Sequence, residues 1–353
     1  MKKTVIIWAA AIVVFVTAAF LTYPVLVDFG IKQQAQNIGN RFRHQLLTDG
    51  ELHIVTVGTG TPNANLRRVQ PSLAVIVDGV FILFDVGAGA AQQADILGLP
   101  LSDLNAVFLT HLHSDHIADL PLVASKGWRF GRTNSLHVYG PTGTREMTEG
   151  FNQAHRFDRE YRYENIKLVA ASLETAIPIG HDVGTPGEKE KKLVQSFDNG
   201  LEVYAFLVDH APVKPAFGYR LEYKNRTVVI SGDTKACDNM IRQSQGADLL
   251  IHEGFNKNLV NRMEKLIEDD ANKSLLALRH LATQAQKYHT SPVEAARIAE
   301  AASVKKLIFT HIDPPLGPFL IRWLVTQPFF LKEVSEVFSG EVVVAEDGME
   351  FVL

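Results

Sequence analysis

The densest group of metal-binding side chains in the chain is His111, His113, Asp115 and His116, which directly follow the apolar run 106–109. Residues two apart in an extended chain point the same way, so His111 and His113 can hold one ion. Asp115 and His116 can reach a second ion. Neutral imidazoles with a carboxylate suit zinc, and two ions about 3.5–4 Å apart are the usual arrangement for hydrolysing phosphoryl or acyl substrates. The alternative, a histidine-rich surface turn, has no reason to follow a buried strand so closely.

Four more strand-like runs end in side chains that can bind metal or carry protons. Runs 201–208, 227–230, 248–251 and 306–310 lead into His210, Asp233, Glu253 and His311, respectively. Loops at strand ends commonly carry function. Five such endings predict one shared site. Asp85, which follows the run 80–84, is expected to orient the histidines through hydrogen bonds.

Other signals position these strand ends. Asp78-Gly79 between two β-rich runs predicts a hairpin. Ser291-Pro292-Val293-Glu294, directly after His289, predicts a capped helix start. Segment 256–287 has a helical composition and is longer than expected between two site motifs. The remaining histidines outside these strand-end motifs are interpreted as structural, namely His44, His53, His137, His155, His181 and His280.

Composition places the chain among globular proteins. Its 353 residues are 46% hydrophobic and 21% charged, with a net charge of -4. Such a balance gives no overall basic footprint and argues against a nucleic-acid partner. The single cysteine, Cys237, excludes an internal disulfide and is interpreted as a buried filler.

The N-terminus resembles a membrane anchor. Lys2 and Lys3 precede residues 4–27, which carry no charge, and about 20 apolar residues span a bilayer. An uncleaved anchor is favoured. The alternatives are a signal peptide that is cleaved near Ala18, which would release a secreted protein, and a buried core helix. The lysines predict a cytoplasmic N-terminus and an extracytoplasmic domain, periplasmic in a Gram-negative cell. The expected organisation is an anchor at 1–30, a polar linker at 31–50 and one hydrolase domain at 51–353.

The ordered motifs resemble those of the metallo-β-lactamase-fold hydrolases, in their ribonuclease Z and arylsulfatase branch, over about residues 52–353. This resemblance implies an α/β fold, a four-layered αββα sandwich with two Zn²⁺; Mn²⁺ or Fe also suits the ligands. It implies that His111, His113 and His210 hold one metal, that Asp115, His116 and His311 hold the other, and that Asp233 bridges them. Asp115 would act as base, and Glu253 with His289 as a proton-donor pair.

Departures from ribonuclease Z shape the expected function. The motif at 252–255 is His-Glu-Gly-Phe where ribonuclease Z has His-Glu-Ala-Thr, and a short loop at 184–192 stands where that enzyme has a long RNA-gripping arm. The main expectation is a zinc hydrolase of small phosphodiester or sulfate esters, with a metal-bridged hydroxide as nucleophile. The alternatives are a 3'-tRNA-processing ribonuclease Z and a non-hydrolytic iron or ligand-binding scaffold. The expected partners are a small ester, the membrane and a second copy of the chain.

The apolar segment 314–331 directly follows His311. We expect it to cover the site or to lie on the membrane, and the alternative is an ordinary core helix.

Overall fold

The computed structural model describes residues 2–166, 172–266, 272–314 and 330–353. The chain divides into two compact units, Met1–Arg43 and His44–Leu353.

The first unit is dominated by one helix, α1, which spans Lys2–Gly39. Within it, the 23 residues Phe15–Asn37 are long and apolar enough to cross a membrane, with a mean hydropathy of 1.4 and no burial. The helix continues through Lys32 and Gln36, in the segment expected to be a polar linker. Glutamine and lysine are good helix formers, so an established helix propagates through them at little cost.

The second unit contains two seven-stranded sheets. The first has the order β14-β1-β2-β3-β4-β5-β6. Its strands are β1 His53–Gly58, β2 Ser72–Val77, β3 Val80–Phe84, β4 Leu104–Phe108, β5 His137–Gly140, β6 Ile179–Asp182 and β14 Glu350–Val352. Strands β3 to β6 are parallel, so their carboxyl ends meet at one edge of the sheet.

The second sheet has the order β13-β12-β11-β10-β9-β8-β7. Its strands are β7 Lys191–Ser196, β8 Glu202–His210, β9 Val213–Tyr223, β10 Arg226–Ile230, β11 Leu249–Phe255, β12 Lys306–Asp313 and β13 Glu341–Val344. Strands β10 to β13 are parallel, so this sheet also gathers carboxyl ends at one edge.

The second unit also contains the following helices. They are α2 Ala90–Ile96, α3 Ser114–Ile117, α4 Leu120–Arg129, α5 Thr144–Ala154, α6 Arg156–Ile166, α7 Asp238–Gln243, α8 Lys257–Leu266, α9 Lys273–Ala285, α10 Pro292–Ala301 and a one-turn helix at Lys332–Ser335. One core lies between the sheets, a second joins the first sheet to α2 and α4, and a third joins the second sheet to α10. These layers confirm the predicted α/β fold with two sheets.

Two local predictions are confirmed. Strands β2 and β3 pair as a hairpin, with positive φ at both Asp78 and Gly79, as a tight two-residue turn requires. Helix α10 begins with Ser291 and Glu294 in a reciprocal capping box. The predicted loop at 184–192 is shorter than expected, because β7 begins at Lys191. The apolar segment predicted at 314–331 lies mostly outside the described residues.

Candidate metal centre

The carboxyl-terminal edges of the two sheets meet at the predicted site. His111 and His113 lie in the loop after β4, and Asp115 and His116 lie in α3. The second sheet contributes the other three ligands. His210 ends β8, Asp233 lies in the loop after β10, and His311 lies in β12. Residues from four separate parts of the chain therefore converge because strands that run in the same direction end at a common edge.

The donor atoms form adjoining groups. One group consists of His111, His113, His210 and Asp233, and its donor atoms all lie within 4.8 Å of one another. The same criterion groups Asp115, His116 and His311, and also Asp233, His289 and His311. All seven side chains predicted to bind metal are therefore brought together.

Asp233 occupies the centre of this arrangement. Its Oδ2 atom lies 3.9 Å from Nε2 of both His111 and His210. The same oxygen lies 3.5 Å from Nε2 of His116 and 3.4 Å from Nε2 of His311. One carboxylate oxygen thus faces both groups, as a bridging ligand would.

Several donor atoms are buried without a hydrogen-bond partner among the described residues. They are Oδ2 of Asp115, Nε2 of His116 and both ring nitrogens of His311. A buried polar atom left unpaired costs about 1–3 kcal/mol, so such a concentration needs an explanation. A metal ion satisfies these atoms, and a set of imidazoles and carboxylates suits zinc. The residues therefore fit the metal that the sequence predicted.

Charge in the cluster also favours a cation. Burial opposes ionisation of Asp233, but the neighbouring His311 and His116 hold the pKa of its carboxyl well below the usual value. Burial opposes protonation of His311, yet Asp233 and Asp115 raise its pKa to about 9. Burial lowers the pKa of His111 well below its usual value and keeps that ring neutral, the form that binds metal.

The predicted role of Asp85 is confirmed by its hydrogen bonds. Its Oδ2 accepts from Nδ1 of His116 at 2.8 Å and from Oγ1 of Thr110 at 2.8 Å. Its Oδ1 accepts from the backbone N–H of Thr110 at 2.8 Å. With Nδ1 held this way, Nε2 of His116 is directed at the metal cluster. Nδ1 of His210 is likewise held, by the backbone carbonyl of Tyr288 at 3.2 Å.

Close backbone packing holds α3 in place. A Cβ atom at Gly87 would lie 2.0 Å from the carbonyl oxygen of Asp115. Only glycine permits this approach. The backbone N–H of Val86 also donates to the carbonyl of His116 at 2.7 Å. The turn after β3 thereby fixes the position of two predicted ligands.

A second buried pair borders the cluster. Nδ1 of His289 donates to Oε2 of Glu253 at 2.6 Å, and Oε1 of Glu253 accepts from the backbone N–H of Thr234 at 2.6 Å. Burial opposes protonation of His289, but the negative charge of Glu253 outweighs burial and raises the pKa of His289. The ring stacks on Phe255, with centroids 5.4 Å apart and planes at 8°. His289 is thus oriented to hold a proton beside the metal cluster.

The remaining histidines lie outside the three donor groups. His252 is fully buried next to Glu253, and burial lowers its pKa to about 4. His53 pairs with Asp49 and Glu350, and His137 with His181. The interpretation of His53, His137 and His181 as structural residues agrees with these contacts. His252, beside Glu253 in β11, stays a candidate for supporting the site.

Sequence reasoning did not identify the side chains that line the cavity next to the cluster. Tyr288, Leu281, Asn63 and Asp313 all border it. Two of these residues could have been identified by their closeness in sequence to predicted site residues, because Tyr288 precedes His289 and Asp313 follows His311 by two positions.

Comparison with known proteins places the chain in a family. Residues 81–312 match the model of the beta-lactamase superfamily domain. The chain belongs to the metallo-β-lactamase superfamily. It is 34% identical over 271 residues to ribonuclease Z of Mycobacterium bovis (strain BCG / Pasteur 1173P2), covering 76% of this chain and 88% of the relative. Ribonuclease Z of Mycobacterium sp. (strain KMS) is 33% identical over 269 residues, covering 76% and 86%.

Solved structures support the fold of this superfamily member. Human tRNase Z, short form, aligns with a TM-score of 0.57 at 21% identity, covering 85% of this chain and 98% of that one. The metallo-beta-lactamase fold protein YhfI from Bacillus subtilis aligns with a TM-score of 0.58 at 21% identity, covering 86% and 100%.

These relatives correct one prediction. The sequence argued against a nucleic-acid partner and for a small-molecule ester, and this was wrong, since the curated relatives are ribonucleases. The argument used the net charge of -4, which sums over the whole chain. A site that positions one phosphodiester depends instead on local charge, and here several ionisable groups converge within a few ångströms.

Proposed function

We propose that this chain is a metal-dependent ribonuclease of the Z type, which hydrolyses a phosphodiester bond at the 3' side of precursor tRNA. The observation that carries the proposal is the position of Asp233 between two groups of donor atoms, beside the Glu253–His289 pair. Its 34% identity to a ribonuclease Z over 76% of the chain supports the choice of RNA as substrate.

Two zinc ions are the proposed cofactor. His111, His113 and His210 would hold one, Asp115, His116 and His311 the other, and Asp233 both. Zinc bound there lowers the pKa of water and stabilises negative charge on a phosphoryl group.

The chain's own residues would move the protons. The Asp115 carboxylate, whose Oδ2 has no hydrogen-bond partner among the described residues, accepts a proton from the attacking water. Burial opposes protonation of His289, but the charge of Glu253 raises the pKa of the ring and so favours its protonated form. His289 donates that proton to the leaving oxygen, while Glu253 holds the ring at Nδ1.

The test uses the full chain loaded with zinc on three substrates. They are a precursor tRNA with a 3' extension, an aromatic phosphodiester and an aromatic sulfate ester. We expect cleavage of the RNA that disappears in Asp115→Ala. Turnover of the sulfate ester alone, with the RNA left intact, would overturn the proposal.

We also propose that α1 anchors the chain in a membrane, since its apolar stretch is exposed along its whole length. The side on which the catalytic domain lies bears on the substrate, because precursor tRNA is cytoplasmic. Lys2 and Lys3 predict an external domain, whereas the proposed substrate requires a cytoplasmic one, so the placement must be measured. Alkaline phosphatase fused after Leu353 reports this placement. Phosphatase activity of the fusion would place the domain outside and exclude precursor tRNA as the substrate. A stably expressed fusion without phosphatase activity would support precursor tRNA as the substrate.

A further inference from the structure

A cavity of about 210 Å³ opens beside the metal cluster, and we call it the α9 pocket because α9 forms one wall. Asp115, Asp233, His289 and His311 border it on the side of the cluster. Pockets for drug-sized ligands measure about 300–1,000 Å³, so this one has room for a single ring system. The part of the pocket beside His289, the proposed proton donor, is where a leaving group would lie.

Part of the pocket wall is apolar and aromatic. Leu281 lines the pocket from α9, with 64% of its surface exposed. The half-buried Tyr288 ring lies 5.0 Å from the ring of His289 and 5.3 Å from that of His210. An aromatic ring held against two oriented histidines presents a fixed surface on which a flat ligand can stack.

Another part of the pocket lining is polar. Oδ1 of Asp313 accepts hydrogen bonds from Oγ1 of Thr61 at 3.3 Å and from Nδ2 of Asn63 at 3.2 Å. A carboxylate and an amide held together can bind a ring that carries both donors and acceptors on its rim.

The wall comes from the segment that the sequence showed to be unusually long. Helices α8 and α9 connect the strand that carries Glu253 to His289. Gln286 donates to Oδ1 of Asn261 at 3.0 Å, and Thr283 donates to Glu264, so the helices are tied together. This helical pair therefore places a preformed wall next to the proton donor.

We propose that the α9 pocket binds the unpaired base of the nucleotide that carries the leaving oxygen. The proposal rests on the proposed ribonuclease function. Proteins recognise single-stranded RNA by stacking splayed bases on aromatic side chains and by hydrogen bonding the base edges. Tyr288 supplies the stacking surface, Leu281 covers the ring, and Asp313 with Asn63 binds the rim.

The experiment measures whether Tyr288 senses that base. Three precursor tRNAs are compared: an intact one, one abasic at the nucleotide with the leaving oxygen, and one abasic on the other side of the cleaved bond. The full chain with zinc gives KM and kcat, and the non-cleaving Asp115→Ala variant gives Kd directly. In the otherwise unaltered protein, we expect the first abasic site to raise KM and Kd about tenfold, or about 1.4 kcal/mol. Measured stacking contributions per base are of this size.

In Tyr288→Ala and in Leu281→Ser, the penalty for that abasic site should shrink to less than about twofold. Tyr288→Phe should keep it, and so should Leu276→Ser, which alters an exposed leucine of α9 that does not line the pocket. The abasic site on the other side of the cleaved bond should change KM and Kd by the same factor in all variants. Circular dichroism verifies folding.

The outcomes separate the two proposals. An unchanged penalty in both Tyr288→Ala and Leu281→Ser overturns the pocket assignment and leaves the ribonuclease standing. Failure of the unaltered protein to cleave intact RNA, together with failure of Asp115→Ala to bind it, overturns both.

Discussion

Nδ1 of His116 lies 2.8 Å from Oδ2 of Asp85, a residue 31 positions earlier in the chain. Both side chains are buried, and Asp85 adopts a positive φ of 55° directly after β3. The bond fixes which imidazole nitrogen faces the metal cluster. A left-handed backbone at a non-glycine residue is uncommon, and here it positions the carboxylate that orients a predicted ligand.

Replacing Asp85 should therefore weaken metal binding. We expect Asp85→Ala to reduce zinc affinity about 10- to 100-fold, the usual effect of removing a partner of a histidine ligand. Competition with a chromophoric chelator measures it. Asp103→Ala is the matched control, because Asp103 also pairs with a histidine, His44 at 3.2 Å, but at the surface. Equal affinities of the two variants would contradict the role of Asp85.

The Glu253–His289 pair should affect turnover rather than metal content. Removing a proton donor typically costs about 10²- to 10⁴-fold in rate. His289→Asn and Glu253→Gln should both lower kcat on precursor tRNA within this range. The first removes the ring that holds the proton, and the second removes the negative charge that raises the pKa of that ring. Single-turnover cleavage and elemental analysis measure the two quantities. If the variants lose zinc in proportion to activity, the pair has a structural role instead.

Metal removal should destabilise the fold. The unpaired atoms of Asp115, His116 and His311 are buried, and a bound ion satisfies them only in the folded state. A ligand at 1,000 times its Kd adds about 4 kcal/mol to the free energy of unfolding. We expect EDTA to lower the Tm and zinc to restore it. The Tm of Asp233→Asn should change much less with EDTA and zinc, since Asp233 faces both groups of metal-binding atoms. Identical melting with and without EDTA would be incompatible with a metal centre.

Acid should destabilise the protein through His252. This ring has a pKa of about 4 in the folded protein against 6.5 ordinarily, because burial disfavours its charged form. Between these values the unfolded chain binds a proton that the folded chain does not, so stability falls as the pH decreases from about 6.5 to 4. At about 1.4 kcal/mol per pKa unit, the loss is about 3 kcal/mol.

Urea unfolding at a series of pH values, with EDTA present, measures this effect. The loss of stability between pH 6.5 and 4 should be about 3 kcal/mol smaller in His252→Asn, because asparagine does not titrate in this range. His280→Asn, at an exposed position on α9, should follow the unaltered protein. A pH dependence that is the same in all three would exclude His252 as its source.

Much of the site could be predicted from the sequence because its chemistry is concentrated in short motifs. His111, His113, Asp115 and His116 lie within six positions, and their spacing alone predicted a metal site. The other ligands follow β-rich runs, and parallel strands bring their carboxyl ends to one edge. The Asp78-Gly79 turn and the capping box of α10 were equally local, and each formed as expected.

Only the tertiary structure decided which side chains share a donor and what surrounds them. Oδ2 of Asp233 faces His111, His116, His210 and His311, an arrangement that depends on the packing of two sheets. The α9 pocket combines Asn63, Leu281, Tyr288 and Asp313. Tyr288 and Asp313 lie close to predicted site residues in the chain, but Asn63 and Leu281 are distant from them in sequence. Net charge likewise misled the choice of substrate, because a sum over the chain omits where the charges lie. Local spacing encodes which ligands are present, whereas the cavity that selects a substrate arises from long-range packing.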